Sequence, residues 1–464
     1  MSLDQDNLSM TKELLIGFGL AIISGILLAL AYLSIGLGFL MWFALVPLIV
    51  AGFKFACNPR QFGIFFGIAI AIWLEIYTWG LSEISWTRVA PLLISAIAVV
   101  ITVPLKRLLE KRNYHFFIPL IALIAVTIDL LASFTPAANV LSPATTQSFY
   151  PVIIQIASLL GIYSVTFLVI ASNAIISLVI LKLTEISEYR WQIIGGLVII
   201  SFSIIWGIIR LNHQPESSVP VAAVQGKNVN SLSRLIRESG AKLIVLPEGN
   251  FFISDESSYL TYEIMWKSIA TGNNIYLVAP YLSLYQNRNM AVLVSPDGEI
   301  SAPYAKYHIA KIVGEDWQGG SEFPVFHTEF GVMGIMICYD GYYPDVARRL
   351  AMQNACFIAM PSNSITPELS LRIPAAIIPF RAVENGVGIV MADVVYGSMI
   401  IDPFGRIIKR APVETGVIIK DELPLIKHQT FYTKYGYWFP YFCLISLLCL
   451  IAYSMRDGLK QKVN

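Results

Sequence analysis

The sequence predicts a membrane α-helical bundle of about eight spans joined to a mixed α+β domain. Hydrophobic residues make up 56% of the 464 residues and charged residues only 14%, so the chain is more apolar and less charged than a soluble protein. The apolar residues are concentrated in long runs, which predict membrane spans. From residue 219 onward, short strand-like segments alternate with helix-like segments, which predicts a sheet covered by helices.

The predicted spans each approach or exceed the roughly 20 residues that a helix needs to cross a bilayer. They lie at 14–33, 36–53, 61–80, 89–106, 116–134, 152–181, 192–210 and 437–455. Since the first run continues into a second without a small-residue cleavage pattern, we interpret it as a span rather than a signal peptide. The predicted domains are a transmembrane helical bundle at 1–211, an extracytoplasmic domain at 212–435, and a C-terminal transmembrane helix with a short cytoplasmic tail at 436–464.

The distribution of lysine and arginine predicts the orientation of the spans. With the N-terminus in the cytoplasm, the short outside loops carry Arg88 alone. The inside segments then carry Lys12, Lys54, Arg60, Lys106, Arg107, Lys111, Arg112, Lys182, Arg190, Arg456, Lys460 and Lys462. Because positive residues are retained on the cytoplasmic side, the domain at 212–435 is expected outside the cytoplasm, in the periplasm of a two-membrane bacterium.

Net charge and cysteine usage exclude several classes of function. The formal net charge of +1 argues against a nucleic-acid partner. The five cysteines show no CxxC or histidine pairing, so we expect no disulfide framework, no metal and no cofactor. Cys356 lies in an apolar strand-like run and is interpreted as a buried, inert thiol.

Two features of the predicted membrane part allow more than one interpretation. Glu75 and Asp129 are ionisable residues within spans, where internal hydrogen bonding is favoured over substrate contact. The uncharged outer loop 135–150 is interpreted as a segment that rests in the headgroup layer, as a lid, or as a plain polar connector.

Three apolar runs are followed by residues with catalytic side chains. The run 332–338 ends in Cys338, the run 243–248 ends in Glu248, and Lys306 follows a short strand predicted at 298–302. Alone, each residue would more often be structural. Together, an acid, an amine and a thiol at strand ends indicate a base, an oxyanion partner and a nucleophile.

Each residue of this predicted site has an expected role. Because the thiolate is the nucleophile, Glu248 is expected to take the proton of Cys338, directly or through water. Lys306 would stabilise the thiolate and then the oxyanion, with the backbone N–H of Tyr339 as the second oxyanion donor. Glu315 is a second acid that could orient Lys306 or the leaving group. Glu384 is predicted to be structural, because Arg381 lies three residues before it on one helix.

These motifs resemble the nitrilase (carbon–nitrogen hydrolase) superfamily and, within it, the bacterial apolipoprotein N-acyltransferases. The residues that carry the resemblance are VQGK at 224–227, LPEG at 246–249, YAKYHI at 304–309 with Gly314 and Glu315, ICYDGYYPDVAR at 337–348, FRAVENG at 380–386 and the membrane stretch 153–178. The resemblance implies a nitrilase-type αββα sandwich. It also implies Glu248, Lys306 and Cys338 as catalytic residues, with Glu315, Tyr339 and Asp340 supporting them.

The implied activity is acyl transfer from a phospholipid, through a thioester on the cysteine, to the N-terminal amine of a diacylglyceryl-cysteine lipoprotein. It implies a multi-pass protein of the bacterial inner membrane, which we expect to be a monomer. The sequence departs from the family where Asp340 replaces the usual Glu and at Ser362-Asn363-Ser364. The alternatives are therefore a membrane-anchored amidase, an acyltransferase acting on another amine, or a non-enzymatic transporter or structural protein.

Overall fold

A computed structural model of the chain describes residues 2–33, 35–78, 106–110, 114–136, 138–226, 236–237, 239–364 and 367–463. The predicted span at 89–106, apart from Lys106, lies outside these residues, as does Arg88. Most of the helix predicted at 231–239 also lies outside them.

Apolar helices make up the first part of the described chain. They are α1 Ser2–Leu33, α2 Val46–Val50, α3 Pro59–Thr78, α4 Phe117–Ala132, α5 Pro151–Ile154, α6 Ala157–Leu160, α7 Ile162–Leu181 and α8 Ile186–Leu211. Among the described residues, five helical segments are long and apolar enough to cross a membrane: Thr11–Leu33, Gly36–Phe55, Pro59–Tyr77, Ile162–Leu181 and Leu183–Leu211. The predicted spans at 116–134 and 437–455 correspond to shorter apolar helices, Phe117–Ala132 and Trp438–Tyr453.

The single span predicted at 152–181 is wrong, because the structure divides it. The short helices α5 and α6 precede Gly161, whose φ of +75° lies in the left-handed region, and α7 begins at the next residue. A Cβ at Gly161 would lie 2.6 Å from the Tyr432 ring. The break therefore depends on the backbone freedom and small size of glycine, which hydropathy alone does not register.

The segment predicted as a span at 36–53 is helical but irregular. A 3₁₀ stretch, Ile35–Trp42, leads into α2, and a single π turn, Ala51–Phe55, ends the segment. Asn173 of α7 accepts a hydrogen bond from the Leu45 N–H at 2.8 Å and donates one to the Met41 carbonyl at 2.7 Å. This amide satisfies backbone groups that the irregular helix leaves free, as an apolar surrounding requires.

The second part of the chain contains two six- to seven-stranded sheets. One has the order β13-β1-β2-β4-β5-β6 with β3 paired to β4, and the other has the order β12-β11-β10-β9-β8-β7. The strands are β1 Ser217–Gln225, β2 Leu243–Val245, β3 Phe252–Ile253, β4 Tyr276–Ser283, β5 Arg288–Val294, β6 Tyr304–Ala305, β7 Val325–Thr328, β8 Gly331–Ile335, β9 Phe357–Ser362, β10 Gly388–Asp393, β11 Met399–Ile401, β12 Ile407–Arg410 and β13 Val417–Leu425. The helices of this part are α9 Glu256–Asn273, α10 Pro344–Met352, α11 Pro367–Asn385, α12 Phe431–Tyr435 and α13 Trp438–Val463.

The two sheets pack face to face, with helices on their outer faces. Val221 and Ala223 of β1 belong to the same buried cluster as Ile335 and Ile389 of the other sheet. The alternate residue Ala222 faces away and packs with Trp266 of α9. This period of two is that of a strand buried on both faces. The predicted fold class, apolar helices plus a nitrilase-type α/β sandwich, is confirmed, although the span count is not.

The strand predicted at 298–302 is wrong. This region forms a turn with a single bridge between Ile300 and Val294, and the strand before Lys306 is instead β6. The turn brings the chain back along β5, which pairs with β6 at Met290 and Ala291. Lys306 therefore follows its strand directly.

The outer loop 135–150 is packed against both parts of the chain. Residues 144–148 are buried, and the Ser148 hydroxyl donates to the Ala376 carbonyl of α11. Asp129 at the end of α4 accepts from Ser142 and Thr166 at 2.6 Å each. Internal hydrogen bonding was therefore the right prediction for Asp129, whereas Glu75 is exposed in the structure. The loop joins the bundle to the sandwich rather than connecting two spans loosely.

Candidate active site

The ends of β2, β6 and β8 place the three predicted catalytic side chains at one edge of the sandwich. Glu248 follows β2, Lys306 follows β6 and Cys338 follows β8. The Glu248 backbone N–H donates to the Ser362 carbonyl at the end of β9, so a hydrogen bond joins the two sheets at this edge. An acid and an amine from one sheet thus meet a thiol from the other.

Lys306 is the centre of a buried charge cluster. Its Nζ lies 3.1 Å from Oε1 of Glu248 and 2.7 and 2.9 Å from the two carboxylate oxygens of Glu315. The lysine side chain is fully buried and that of Glu248 is 4% exposed, whereas Glu315 is 22% exposed. The cluster therefore extends from the interior toward solvent through Glu315.

Cys338 occupies a turn that forces the thiol out of the sheet. Its φ of +47° lies in the left-handed region, which non-glycine residues rarely adopt. Strain of this kind persists where the surrounding structure determines the conformation, and it is common at functional sites. The cysteine begins a 3₁₀ turn, Cys338–Tyr342, and remains partly accessible to solvent. Its Sγ lies 3.9 Å from the carbonyl oxygen of Asn363.

The electrostatics of the site connect the thiol to the charge cluster. Burial raises the pKa of the Cys338 thiol, the Glu248 carboxylate raises it further, and Lys306 partly opposes both. Burial also raises the pKa of Glu248, against the lowering effect of Lys306. Burial alone would lower the pKa of Lys306, but the negative charges of Glu248 and Glu315 raise it instead. At neutral pH the resting site thus holds a protonated lysine and a neutral thiol beside a carboxylate of raised basicity.

The two oxygens of Glu248 differ in their contacts. Oε1 accepts from Lys306 at 3.1 Å and from the Asn289 amide at 2.5 Å. Oε2 is buried and has no hydrogen-bond partner among the described residues. A buried carboxylate oxygen without a donor is costly, and here it is the oxygen that remains available to take a proton.

Asp340 connects the cysteine turn to the lysine strand. Its carboxylate accepts from the Tyr304 hydroxyl at 2.7 Å, from the His308 N–H at 2.7 Å and from the Ile337 N–H at 2.9 Å. Tyr304 and His308 lie on either side of Lys306 in the chain, and Ile337 immediately precedes Cys338. Asp340 is fully buried, so its contacts fix the position of the thiol relative to the amine.

Sequence reasoning missed Asn289 on β5. It is 1% exposed, its side-chain amide donates to Glu248, and its backbone carbonyl accepts from the backbone N–H of Lys306 at 2.8 Å. The available signal in the sequence was a polar residue directly before the apolar run MAVLV at 290–294. Asn289 therefore contacts the acid through its side chain and the backbone of Lys306 from the neighbouring strand.

Tyr339 joins the cysteine turn to the outer loop. Its hydroxyl donates to the Pro136 carbonyl, and the Tyr343 hydroxyl lies 3.2 Å from both the Tyr339 hydroxyl oxygen and the Thr135 carbonyl. The side chain of Tyr339 is thus structural, which leaves its backbone N–H for the predicted oxyanion role. The site consequently lies against the end of the helical bundle that carries the loop 135–150.

Glu384 has the structural place predicted for it. Its Oε2 lies 2.9 Å from Nη1 of Arg381, both side chains are fully buried, and its Oε1 accepts from the Ile162 N–H at 2.8 Å. Because Ile162 is the first residue of α7, Glu384 caps a membrane helix from within the sandwich. Burial raises the pKa of Glu384 to about 7.

The geometry is suited to acyl transfer by a thiol. A carboxylate with an unoccupied oxygen, a cation held in place by two carboxylates, and an accessible thiol are the parts required to deprotonate a nucleophile and to stabilise an oxyanion. Within the described part of the chain, no group of three or more His, Cys, Asp or Glu side chains is arranged to hold a metal ion.

Solved structures of nitrilase-superfamily members resemble the sandwich. Nit3 of Saccharomyces cerevisiae is 23% identical and matches 45% of this chain and 91% of its own, with a TM-score of 0.40. An amidase from Nesterenkonia is 22% identical over 45% of this chain and 91% of its own, with a TM-score of 0.39.

Relatives of known name match either the sandwich or nearly the whole chain. A nitrilase from Pyrococcus abyssi is 35% identical over 36% of this chain and 68% of its own length. The apolipoprotein N-acyltransferase of Geobacter metallireducens is 26% identical over 94% of this chain and 95% of its own. That of Thermotoga maritima is 21% identical over 96% and 95%.

Two family models match consecutive parts of the chain. The apolipoprotein N-acyltransferase N-terminal domain matches residues 24–175, and the carbon–nitrogen hydrolase family matches residues 214–423. The first covers membrane helices and the second covers the sandwich with its site. The chain belongs to the carbon–nitrogen hydrolase superfamily, and its two-part architecture is that of the apolipoprotein N-acyltransferases.

Proposed function

We propose that the protein transfers an acyl chain from a phospholipid to the N-terminal amine of a diacylglyceryl-cysteine lipoprotein. The observation that carries this proposal is the position of the thiol and its charge cluster against the outer loop of an apolar helical bundle. Both substrates are lipids held in a membrane, so a site beside membrane helices can meet them without extracting them. The full-length similarity to apolipoprotein N-acyltransferases supports the same substrates.

The first half-reaction forms a thioester. Glu248 takes the proton of Cys338 through Oε2 as Sγ attacks the ester carbonyl carbon of the phospholipid. The oxyanion receives hydrogen bonds from Nζ of Lys306 and from the backbone N–H of Tyr339. When the tetrahedral intermediate collapses, the C–O bond breaks, and Glu248 returns the proton to the alkoxide of the departing lysophospholipid.

The second half-reaction transfers the acyl chain. The lipoprotein amine attacks the thioester carbonyl carbon, Glu248 takes a proton from the attacking nitrogen, and the C–S bond breaks. The released thiolate regains a proton, and an amide has replaced the thioester. Burial of Glu248 and Lys306 limits water near the thioester, which favours the amine as acceptor.

The raised thiol pKa determines how the nucleophile is activated. A thiol whose pKa is raised by burial is not a standing thiolate at neutral pH. Proton transfer to Glu248 must therefore accompany attack, and the raised pKa of Glu248 makes it a stronger base for that step. Glu315 keeps Lys306 protonated and in place throughout.

The proposed location is the bacterial inner membrane, with the sandwich in the periplasm. The excess of lysine and arginine in the segments assigned to the inside supports this orientation. The outer ends of α1 and α3 then lie on the same side as the cysteine turn.

Trapping the acyl group on the protein tests the proposal. Purified protein is incubated with a phospholipid, and the intact mass is measured before and after adding a diacylglyceryl-cysteine lipopeptide. We expect a mass increase of one acyl chain on Cys338, lost on addition of the lipopeptide as the N-acylated product appears. Release of free fatty acid, with no acylated lipopeptide, would identify a hydrolase instead.

In cells, deletion of the protein provides a second test. Lipoproteins from the deletion strain are expected to lack the N-linked acyl chain when their N-terminal peptides are examined by mass spectrometry. Unchanged triacylated N-termini, in a strain without another N-acyltransferase, would contradict the proposal.

A further inference from the structure

A cleft lies between the membrane bundle and the sandwich at the outer ends of α1 and α3. It is a small cavity of about 30 Å³ that is partly open to solvent. Tyr32 and Tyr77 at the helix ends, Thr145 and Thr146 of the outer loop, and Arg372 of α11 line it. We name this space the outer cleft.

Arg372 gives the outer cleft its charge. It is the charged residue among the described residues that line the cleft, and no carboxylate lies in that lining. The guanidinium is half-buried and has no hydrogen-bond or ion-pair partner among the described residues. A partly desolvated guanidinium with no carboxylate among the described residues beside it favours an anion, and its planar set of donors matches a phosphate.

Hydroxyl groups surround the same space. The rings of Tyr32 and Tyr77 pack edge to face with centroids 5.7 Å apart, and the Tyr32 hydroxyl donates to the Leu141 carbonyl at 2.8 Å. These contacts hold both phenols at the helix ends, where aromatic residues with polar tips meet lipid headgroups. The hydroxyls of Thr145 and Thr146, in the outer loop, already donate to the Ser142 and Pro143 carbonyls at 2.7 and 2.8 Å, which leaves the Tyr77 phenol as the hydroxyl donor for a ligand.

The remaining walls of the outer cleft are apolar. Leu33, Phe149, Ile373 and Ile377 contribute aliphatic and aromatic surface beside the polar groups. A site with one cation, the Tyr77 phenol and apolar walls suits an amphiphile whose anionic group is attached to a hydrocarbon. A free anion would make no use of the apolar part.

The outer cleft is connected to the cysteine turn. Ile378, six residues after Arg372 on α11, packs so closely that a Cβ on Gly341 would lie 2.7 Å from its Cδ1. Six helical residues span about 9 Å, comparable in length to a glycerol backbone with its ester groups. The phenol of Tyr342 lies within electrostatic range of both Cys338 and Tyr77.

We propose that the outer cleft binds the phosphate of the phospholipid acyl donor, with Arg372 as its cationic partner. Bound in this way, the glycerol and its ester carbonyls extend along α11 toward Cys338. The inference rests on the proposed function, since it assigns the headgroup of the same donor. Arg372 is a positioning residue, because it contacts the headgroup and not the reacting carbonyl.

The test compares two acyl donors on Arg372→Gln. Thioester formation is followed by intact mass at increasing concentrations of phosphatidylethanolamine, and separately of p-nitrophenyl palmitate, which has no phosphate. We expect the half-saturating concentration of the phospholipid to rise about tenfold, the loss of one charge-assisted contact. The limiting rate with phospholipid, and both parameters with the phosphate-free ester, should remain unchanged.

Three further variants make the result specific. Arg372→Lys keeps the charge without the bidentate geometry and should recover part of the affinity. Tyr77→Phe removes one hydroxyl at little cost to folding and should raise the half-saturating concentration to a smaller extent. Arg190→Gln removes an exposed arginine from α8, remote from the lining of the outer cleft, and should leave every parameter unchanged.

The outcomes separate the two proposals. An unchanged response of Arg372→Gln and Tyr77→Phe to phosphatidylethanolamine overturns the outer cleft as the phosphate site. So does an equal loss with both donors in Tyr77→Phe, because such a loss is independent of phosphate. If the wild-type protein reacts with the ester but forms no thioester from any phospholipid, the proposed function itself fails.

Discussion

Two buried ion pairs in this protein have similar composition and opposite roles. Lys306 lies 3.1 Å from Glu248 beside a thiol, and Arg381 lies 2.9 Å from Glu384 beneath a membrane helix. All four side chains are 4% exposed or less. Burial and ion pairing alone therefore do not mark a reactive site.

The two pairs differ in what contacts the carboxylate oxygen that does not face the cation. In Glu384, the second oxygen accepts the free N–H at the start of α7. In Glu248, the second oxygen has no partner among the described residues, and a partly accessible thiol lies within range of its charge. Neither Oε2 accepts a hydrogen bond from the described residues, but that of Glu384 lies 2.9 Å from the Arg381 guanidinium, whereas that of Glu248 has no cation beside it. The comparison teaches that a buried acid is available for proton transfer where one of its oxygens has neither a donor nor a cation and a nucleophile lies nearby.

The strongest test of this comparison removes the thiol. Cys338→Ala should abolish acylation by phospholipid, a loss of at least about a thousandfold, because no other group in the site can form the thioester. Intact-mass measurement of the trapped acyl group provides the rate. The matched control is Cys356→Ala, another cysteine of the same sheet, which is buried away from the charge cluster.

Removing the base should lower the acylation rate without lowering the stability of the folded protein. Glu248→Gln is expected to lower the acylation rate about 10²- to 10⁴-fold, because the amide cannot take the thiol proton. Lys306 keeps Glu315 as a partner, so the thermal unfolding temperature should change little. A variant that acylates at the wild-type rate would refute Glu248 as the base.

Removing the capping acid should have the opposite effect. Glu384→Ala leaves the Arg381 guanidinium and the Ile162 N–H without their partner, at a cost of about 3 kcal/mol in the free energy of unfolding. Glu384→Gln keeps an acceptor and should cost less, since burial already raises the pKa of this carboxyl to about 7. Thermal unfolding in detergent measures both, and folded protein should acylate normally. Loss of acylation without loss of stability would contradict the structural role.

The pH dependence of acylation probes the environment of Glu248. The base must be ionised, so the rate falls as pH falls through its pKa, which burial raises above the ordinary range. Because the negative charge of Glu315 raises that pKa further, Glu315→Gln should move the acidic limb of the profile to lower pH. Lys306 and Cys338 face the same carboxylate, and Lys306 remains charged throughout. An acidic limb that stays at the same pH, or that moves to higher pH, contradicts this electrostatic coupling of Glu315 to Glu248.

The smallest expected effect is at Tyr339. Tyr339→Phe removes the hydrogen bond to the Pro136 carbonyl but keeps the backbone N–H. The free energy of unfolding should fall by about 1 kcal/mol and the acylation rate by no more than about fivefold. Tyr285→Phe, at an exposed tyrosine of the sandwich, is the control. A much larger loss of rate would place the phenol, rather than the backbone, in the chemistry.

Local pattern in the sequence was sufficient for most of the architecture. The long apolar runs, the strands such as 388–393, and the order of an acid, an amine and a thiol after apolar runs were all available without coordinates. Hydropathy and period-two patterning depend on neighbouring residues, so they can be detected along the chain. The i,i+3 pairing of Arg381 with Glu384 was predictable for the same reason.

Contacts between distant segments required the tertiary structure. Asn289 meets Glu248 across 41 positions of the chain, and Glu384 meets Ile162 across 222. The helix break at Gly161 and the outer cleft around Arg372 arise where the bundle and the sandwich meet. The sequence by itself determined which residues carry reactive groups. The fold decided which group each carboxylate oxygen contacts, because hydrogen bonds and ion pairs depend on neighbours in space.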